Sequence, residues 1–152
     1  MSVIESLKRL NITLPAVSGP FGSYVPAKRS GNLIFVAGQL PMREGKLIAT
    51  GQVPSRCSLE QAREAARQCV INGLAAVQAV PGGVDQIVGV VRVGAFVSSD
   101  VGFTDQPKVA DAASELLKEI FGESGQHARA AVGVNTLPRD GSVEIDFVFE
   151  TR

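Results

Sequence analysis

Apolar positions along the chain change their spacing several times, and each change marks a new element. Val3, Ile4, Leu7 and Leu10 recur at helical intervals and predict a short amphipathic helix over residues 2–10. The pattern lapses over residues 16–22, where Gly and Pro predict an irregular lead-in. Strands are predicted over 24–28 and 33–39, joined by Ser30-Gly31-Asn32. A third follows over 46–51, after the Glu44-Gly45 turn. Helical spacing returns at Leu59, Ala62, Ala66, Cys69, Val70, Leu74 and Val77, with Ser58 and Gln61 as a capping box and Pro81-Gly82-Gly83 as the stop. The charged residues of its other face are read as a solvated surface with weak pairing along the helix. Residues 86–98 are almost unbroken Val and Ile, as in a strand buried on both faces. A second long helix is predicted over 106–121, opened by Asp105 and Pro107, burying Val109, Ala112, Ala113, Leu116 and Ile120, and stopped by Gly122.

The last quarter alternates with a period of two and is read as a β-hairpin closed by Pro138-Arg139-Asp140-Gly141, with Pro presetting the turn and Gly taking a positive φ. In that register Leu137 faces Ser142 and Asn135 faces Glu144. One face then carries Ala130, Val132, Val134, Thr136, Val143, Ile145, Phe147 and Phe149, an apolar core face. The other carries Arg129, Ala131, Gly133, Asn135, Glu144, Asp146, Val148 and Glu150. A guanidinium beside a floor of small residues suits capture of a small carboxylate, because its planar fork bonds both oxygens at once. The alternative is a solvated face with a surface Arg. Arg129 and Glu144 would lie roughly 20 Å apart in one chain. A site using both must therefore be assembled across a subunit interface or by a bulge, and the chain is expected to be a homo-oligomer.

Composition narrows the choice of chemistry. At 152 residues the chain suffices for a single domain, and 15 basic against 15 acidic residues leave no net charge to attract nucleic acid or an anionic membrane. Aromatic residues make up only 5%, too few for a base-stacking platform. Cys57 and Cys69 form no disulfide framework, and a single His offers no metal-ligand spacing, so reduced thiols and no metal are expected. With no apolar leader or membrane-length run, the expectation is a cytoplasmic, soluble protein.

Individual residues carry paired readings. Gly38, at a strand end, either marks a bulge or lets a ligand approach the backbone. Tyr24 is either a boundary aromatic or part of a cleft wall. Arg92 interrupts the apolar strand and either pairs with a strand acid or faces a cavity, the ion pair being the plainer reading. His127 stands two residues before Arg129, hence on the same face, as a structural hydrogen-bonder or a proton carrier.

Two segments carry a family resemblance: PFGSYVPAKRSGNLIFVAGQLP, and the run from Arg129 to Glu144 with its LP, short turn and VEI. They resemble the Rid family, the YjgF-type reactive-intermediate deaminases also called L-PSP endoribonucleases. The resemblance spans about residues 14–152, with 1–12 as a helical appendage. It implies an α+β, chorismate-mutase-like single domain, with a mixed β-sheet, two main helices on one face and an extra short N-terminal helix. It further implies a homotrimer with intersubunit clefts, no cofactor, and enamine or imine hydrolysis to 2-keto acids and ammonia. Carried over residue by residue, Arg129 holds the substrate carboxylate, Glu144 orients or activates water, and Gly38 positions the substrate. Tyr24, His127 and Ala131 would line the cleft. Ala131 stands where many members have Cys, Pro107 falls near a frequent Asn, and His127 replaces a usual Pro or Ala. These departures mark a divergent subgroup and keep open a non-catalytic trimer that binds small carboxylates. Endoribonuclease activity is disfavoured by the neutral charge.

Overall fold

The computed structural model describes residues 1–17 and 22–152; the core of the expected lead-in, residues 18–21, lies outside the described residues. The first helix, α1 (Val3–Arg9), is closed by a capping box in which Ser2 and Glu5 satisfy each other's backbone N–H groups. It buries Val3 and Leu7, and the Arg9 guanidinium donates to the Glu119 carbonyl at 2.8 Å. The long helices fall where their spacing places them, α2 at Leu59–Val77 behind the Ser58–Gln61 capping box and α3 at Gln106–Phe121, stopped at Gly122 with φ 66°. Their charged faces pair mainly across the two helices rather than along one. Arg63 meets Glu115 at 3.2 Å and Arg67 meets Glu119 at 3.7 Å.

The main strands are β1 (Ala27–Ser30), β2 (Leu33–Gln39), β5 (Ile87–Ser98), β6 (Ala128–Val134) and β7 (Val143–Thr151), in a mixed five-stranded sheet of order β1-β2-β7-β5-β6. The expected third strand contributes only β4 (Lys46–Leu47), paired with β3 (Met42–Arg43) in a separate two-stranded ribbon. Residues 24–26 precede the sheet rather than opening it.

The C-terminal hairpin does not form. The strand β5 lies between β6 and β7, pairing parallel with β6 and antiparallel with β7. Consequently Asn135 does not face Glu144, whose cross-strand neighbour is Phe96. The physical reason is what each strand has to bury. Val143, Ile145, Phe147 and Phe149 of β7 are fully buried and need the middle of the sheet, whereas β6 is mostly Ala, Gly and Arg and suits an edge. Helix α3 supplies the crossover that a parallel β5–β6 pair requires. The turn after Pro138 instead ties to the segment after β4, with Gly51 N–H donating to the Asp140 carbonyl at 2.8 Å. Its positive φ values fall on Arg139 and Asp140, at 58° and 63°, and not on Gly141.

Both long helices cover one face of this sheet. Gly73 of α2 permits close approach, since a Cβ there would stand 2.6 Å from the Phe147 ring. Phe147 and Phe149 stack in the core with ring centres 5.6 Å apart. The other sheet face is open, so the expectation that β5 is buried on both faces fails: Val88 and Val91 are each 39% exposed. Phe35 and Val132 on the same sheet are 48% and 45% exposed.

Candidate functional site

The pairing of β2 with β7 slips between Val36 and Gln39, which makes Gly38 part of a bulge. The bulge reading of this glycine holds, and the missing side chain admits a carboxylate: a Cβ on Gly38 would lie 2.6 Å from Glu144 Oε2. Tyr24, Lys28, Phe35, Ala37, Gly38 and Glu144 line one concavity. Glu144 is half-buried, and that desolvation, with Asp146 as a second negative charge nearby, raises its pKa above the ordinary Glu value. Asp146 is also raised, chiefly by burial, although Arg92 at 3.4 Å and the Gly94 backbone oppose the shift. Arg92 is therefore the ion-pair partner of a strand acid.

Arg129 lies elsewhere. Its cross-strand partner on β5 is Val93, a core residue, so Arg129 and Ala131 lie on the helix-covered side of the sheet. Ala130 and Val132 take the open side, the reverse of the expected assignment. Small residues on both faces give β6 too little apolar contrast for its pattern to reveal its orientation. Arg129 and Glu144 are thus separated by three residues along the strands, roughly 10 Å, by two strand spacings, roughly 10 Å, and by the sheet itself.

Around Arg129 stands a polar cluster. Its Nη1 donates to Asp111 Oδ1 at 2.8 Å and to Ser114 Oγ at 3.1 Å. Ser114 Oγ is 2.9 Å from His127 Nε2, and His127 Nδ1 is 2.7 Å from the Gly125 carbonyl. A carbonyl only accepts, so neutral His127 carries its proton on Nδ1, and Ser114 donates its hydroxyl proton to Nε2. The serine oxygen is thereby left to accept from Arg129. Both hydrogens of Nη1 are spoken for, while the Nε–Nη2 edge, the one that grips a carboxylate side-on, has no partner among the described residues. His127 and Arg129 share a face, as their spacing requires. Asp111 and Ser114 were missed because polar residues one helical turn apart on α3 read as ordinary surface; their placement over β6 was the absent information.

A larger cavity of about 850 Å³ adjoins Tyr24 and Gly38. Ile12, Leu40, Met42, Ile71 and Ala75 give it apolar walls, and Arg43, Gln68, Asn72 and Arg139 are among its polar residues. Cys69 is buried in the core behind the sheet, where desolvation first and Glu144 second push its thiol well above the ordinary range. Cys57 is buried as well. Among the described residues no group of three or more His, Cys, Asp or Glu is placed to hold a metal ion. No helix among them is long and apolar enough to cross a membrane.

A mixed sheet with two helices on one face, and a carboxylate laid over a glycine bulge beside a cavity, defines an α+β domain of the chorismate-mutase-like class. The chain belongs to the family described as "YjgF/chorismate mutase-like, putative endoribonuclease", whose profile matches residues 5–150. It is 40% identical to Protein TCP17 of Trypanosoma cruzi over 149 residues, covering 97% of this chain and 93% of that protein. A 2-iminobutanoate/2-iminopropanoate deaminase of Dermatophagoides farinae is 32% identical over 145 residues, covering 94% of this chain and 96% of the relative. Among solved structures, the protein Atu1372 with unknown function from Agrobacterium tumefaciens superposes with a TM-score of 0.88 at 42% identity, covering 99% of this chain and 92% of that one.

Proposed function

We propose that this protein hydrolyses reactive 2-imino acids of the 2-aminoacrylate type to 2-keto acids and ammonia, in clefts between the subunits of a cytoplasmic homotrimer. The observation that carries the reading is the Glu144 carboxylate, half-buried over the Gly38 backbone with its pKa raised towards the range of a working base. Water adds to the imine carbon and passes a proton to Glu144. The proton then moves to nitrogen, the C–N bond breaks, and the carbinol loses its remaining proton as the carbonyl forms. Iminium plus water thus gives keto acid plus ammonium, with no cofactor in the balance. Tyr24 and Gly38 belong to the same wall as Glu144, whereas Arg129 would come from the neighbouring subunit, with its Nε–Nη2 edge on the substrate carboxylate and His127 and Ala131 beside it. The exposed apolar residues Phe35, Val88, Val91 and Val132 supply a surface for such neighbours to cover.

The test is ammonia release from imines generated in situ by an amino-acid oxidase. A base must be ionised, so kcat/KM should rise with pH through the Glu144 pKa. Because that pKa is raised, the acid limb should lie above the ordinary Glu range and vanish, along with most of the rate, in Glu144→Gln. No release from a folded trimer would reject the hydrolase reading. A second reading, a trimer that binds small carboxylates without turnover, is favoured by the internal partner that Arg129 already has in Asp111 at 2.8 Å, and by Ala131 in place of the family's frequent Cys. Binding of 2-keto acids without imine hydrolysis would select it.

A further inference from the structure

The 850 Å³ cavity is large for a three-carbon imine, being in the range that holds drug-sized ligands. Its polar floor is largely committed to itself. Asn72 Nδ2 donates to the Leu40 and Met42 carbonyls at 3.0 and 2.9 Å, and its Oδ1 accepts from Gln68 at 3.0 Å. Gln68 Oε1 in turn accepts from Arg43, whose Nη2 is ion-paired to Glu64 at 2.9 Å. Arg139 is different. Its Nη1 reaches the Met42 thioether at 3.7 Å, a weak acceptor, and it has no carboxylate within 4.0 Å among the described residues.

The backbone under Arg139 is also unusual. A bulky residue at φ 58° followed by another non-glycine at φ 63° costs conformational energy that Gly would not incur. The strained pair is held by a fork: Arg56 grips both Asp140 oxygens, at 2.6 and 3.2 Å. This turn places Arg139 in the cavity lining, and sparsely populated backbone conformations cluster at ligand clamps. Met42 stands four positions beyond Gly38, so their Cα atoms lie within roughly 15 Å of each other. Glu44, on the turn between β3 and β4, adds one acid to the lining.

We propose that this cavity takes 2-imino acids whose side chain ends in a second carboxylate, with Arg139 gripping the distal group and Leu40, Met42 and Ile71 against the methylene chain. This deepens the deaminase reading and rests on it for the reacting end of the molecule. Chains of roughly five or six carbons, shorter than that upper bound, are the ones to test first.

The experiment is calorimetric binding of length-matched 2-oxo acids: 2-oxopentanoate against 2-oxoglutarate, and 2-oxohexanoate against 2-oxoadipate. The wild type should bind each diacid at least tenfold more tightly than its monoacid partner. Arg139→Gly suits the positive φ, so it should fold with an equal or higher Tm, lose the diacid preference and keep its monoacid affinity. Arg139→Lys should retain part of the preference. Equal affinities within each pair for the wild type, or a diacid preference that survives Arg139→Gly, would overturn the assignment. Ammonia release from the corresponding imines separates the two readings. Arg139-dependent diacid binding without hydrolysis removes the deaminase and leaves the cavity assignment standing. Hydrolysis indifferent to Arg139 and to the distal carboxylate does the reverse.

Discussion

Arg129, with its side chain 23% exposed, and Arg139, in the lining of the large cavity, are held by the protein in opposite ways. Arg129 sits on a regular strand, with Nη1 fixed by Asp111 and Ser114 and the serine fixed in turn by His127. Arg139 sits on a strained turn, and among the described residues its side chain hydrogen-bonds only to a thioether. In the first case side-chain bonds orient the guanidinium and the backbone is relaxed. In the second the backbone carries the strain and the side chain stays adjustable. A clamped fork suits a group every substrate shares, because its orientation is settled before binding. A loosely held one suits a group that only some substrates bring.

The largest effect should follow from deleting the clamped fork. If Arg129 holds the substrate carboxylate as proposed, Arg129→Ala removes a bidentate charged pair worth about 2–4 kcal/mol, so every 2-oxo acid should bind roughly 30-fold or more weakly, as calorimetry would read. Uniform weakening of that size would separate Arg129 from Arg139, whose loss should affect diacids alone. Unchanged affinity would remove Arg129 from the site. A middle effect is expected on loosening the clamp. Ser114→Ala leaves the guanidinium in place but frees it to rotate, so KM should rise about tenfold, on the order of 1.4 kcal/mol, with kcat nearly kept. Ser114→Thr, which retains the hydroxyl, should recover most of that loss; a fall confined to kcat would point away from positioning. The smallest effect is on stability. Relief of the positive φ in Arg139→Gly is worth about 1 kcal/mol, partly offset by the greater freedom of glycine in the unfolded chain, and should raise Tm by about 1–3 °C in thermal unfolding. A fall in Tm would mean that the side chain itself holds the turn.

What the sequence revealed follows the range of the forces involved. Local signals were legible: the Ser58 capping box, the Gly122 stop, and the alternation of Val143, Ile145, Phe147 and Phe149 each act within a few residues. The place of β6 was not legible, since an antiparallel hairpin to β7 and a parallel pairing with β5 compete, and the outcome depends on burying β7 across the whole sheet. With that strand misplaced, the facing of Arg129 could not be recovered. The polar cluster of Asp111, Ser114 and His127 went with it. Glu144 and Gly38 fared better, because a glycine in an apolar strand and an acid in an alternating one are visible locally even when their contact is not. The turn misled for a similar reason. Asp140-Gly141 advertises a positive φ at Gly, but the ties of residues 49–51 to this loop shift the left-handed pair back to Arg139 and Asp140.

The position of β7 also governs when this sheet can exist. Residues 143–151 are synthesised after every other strand, yet they lie between β2 and β5 and join what would otherwise be two separate halves, β1-β2 and β5-β6. A growing chain can form its helices and both partial sheets, but their facing edges stay open until β7 emerges from the ribosome and fills the gap. During translation the halves must wait, exposed to pairing with the wrong strand, so the strand at the middle of the sheet is also the one that ends its period of greatest risk.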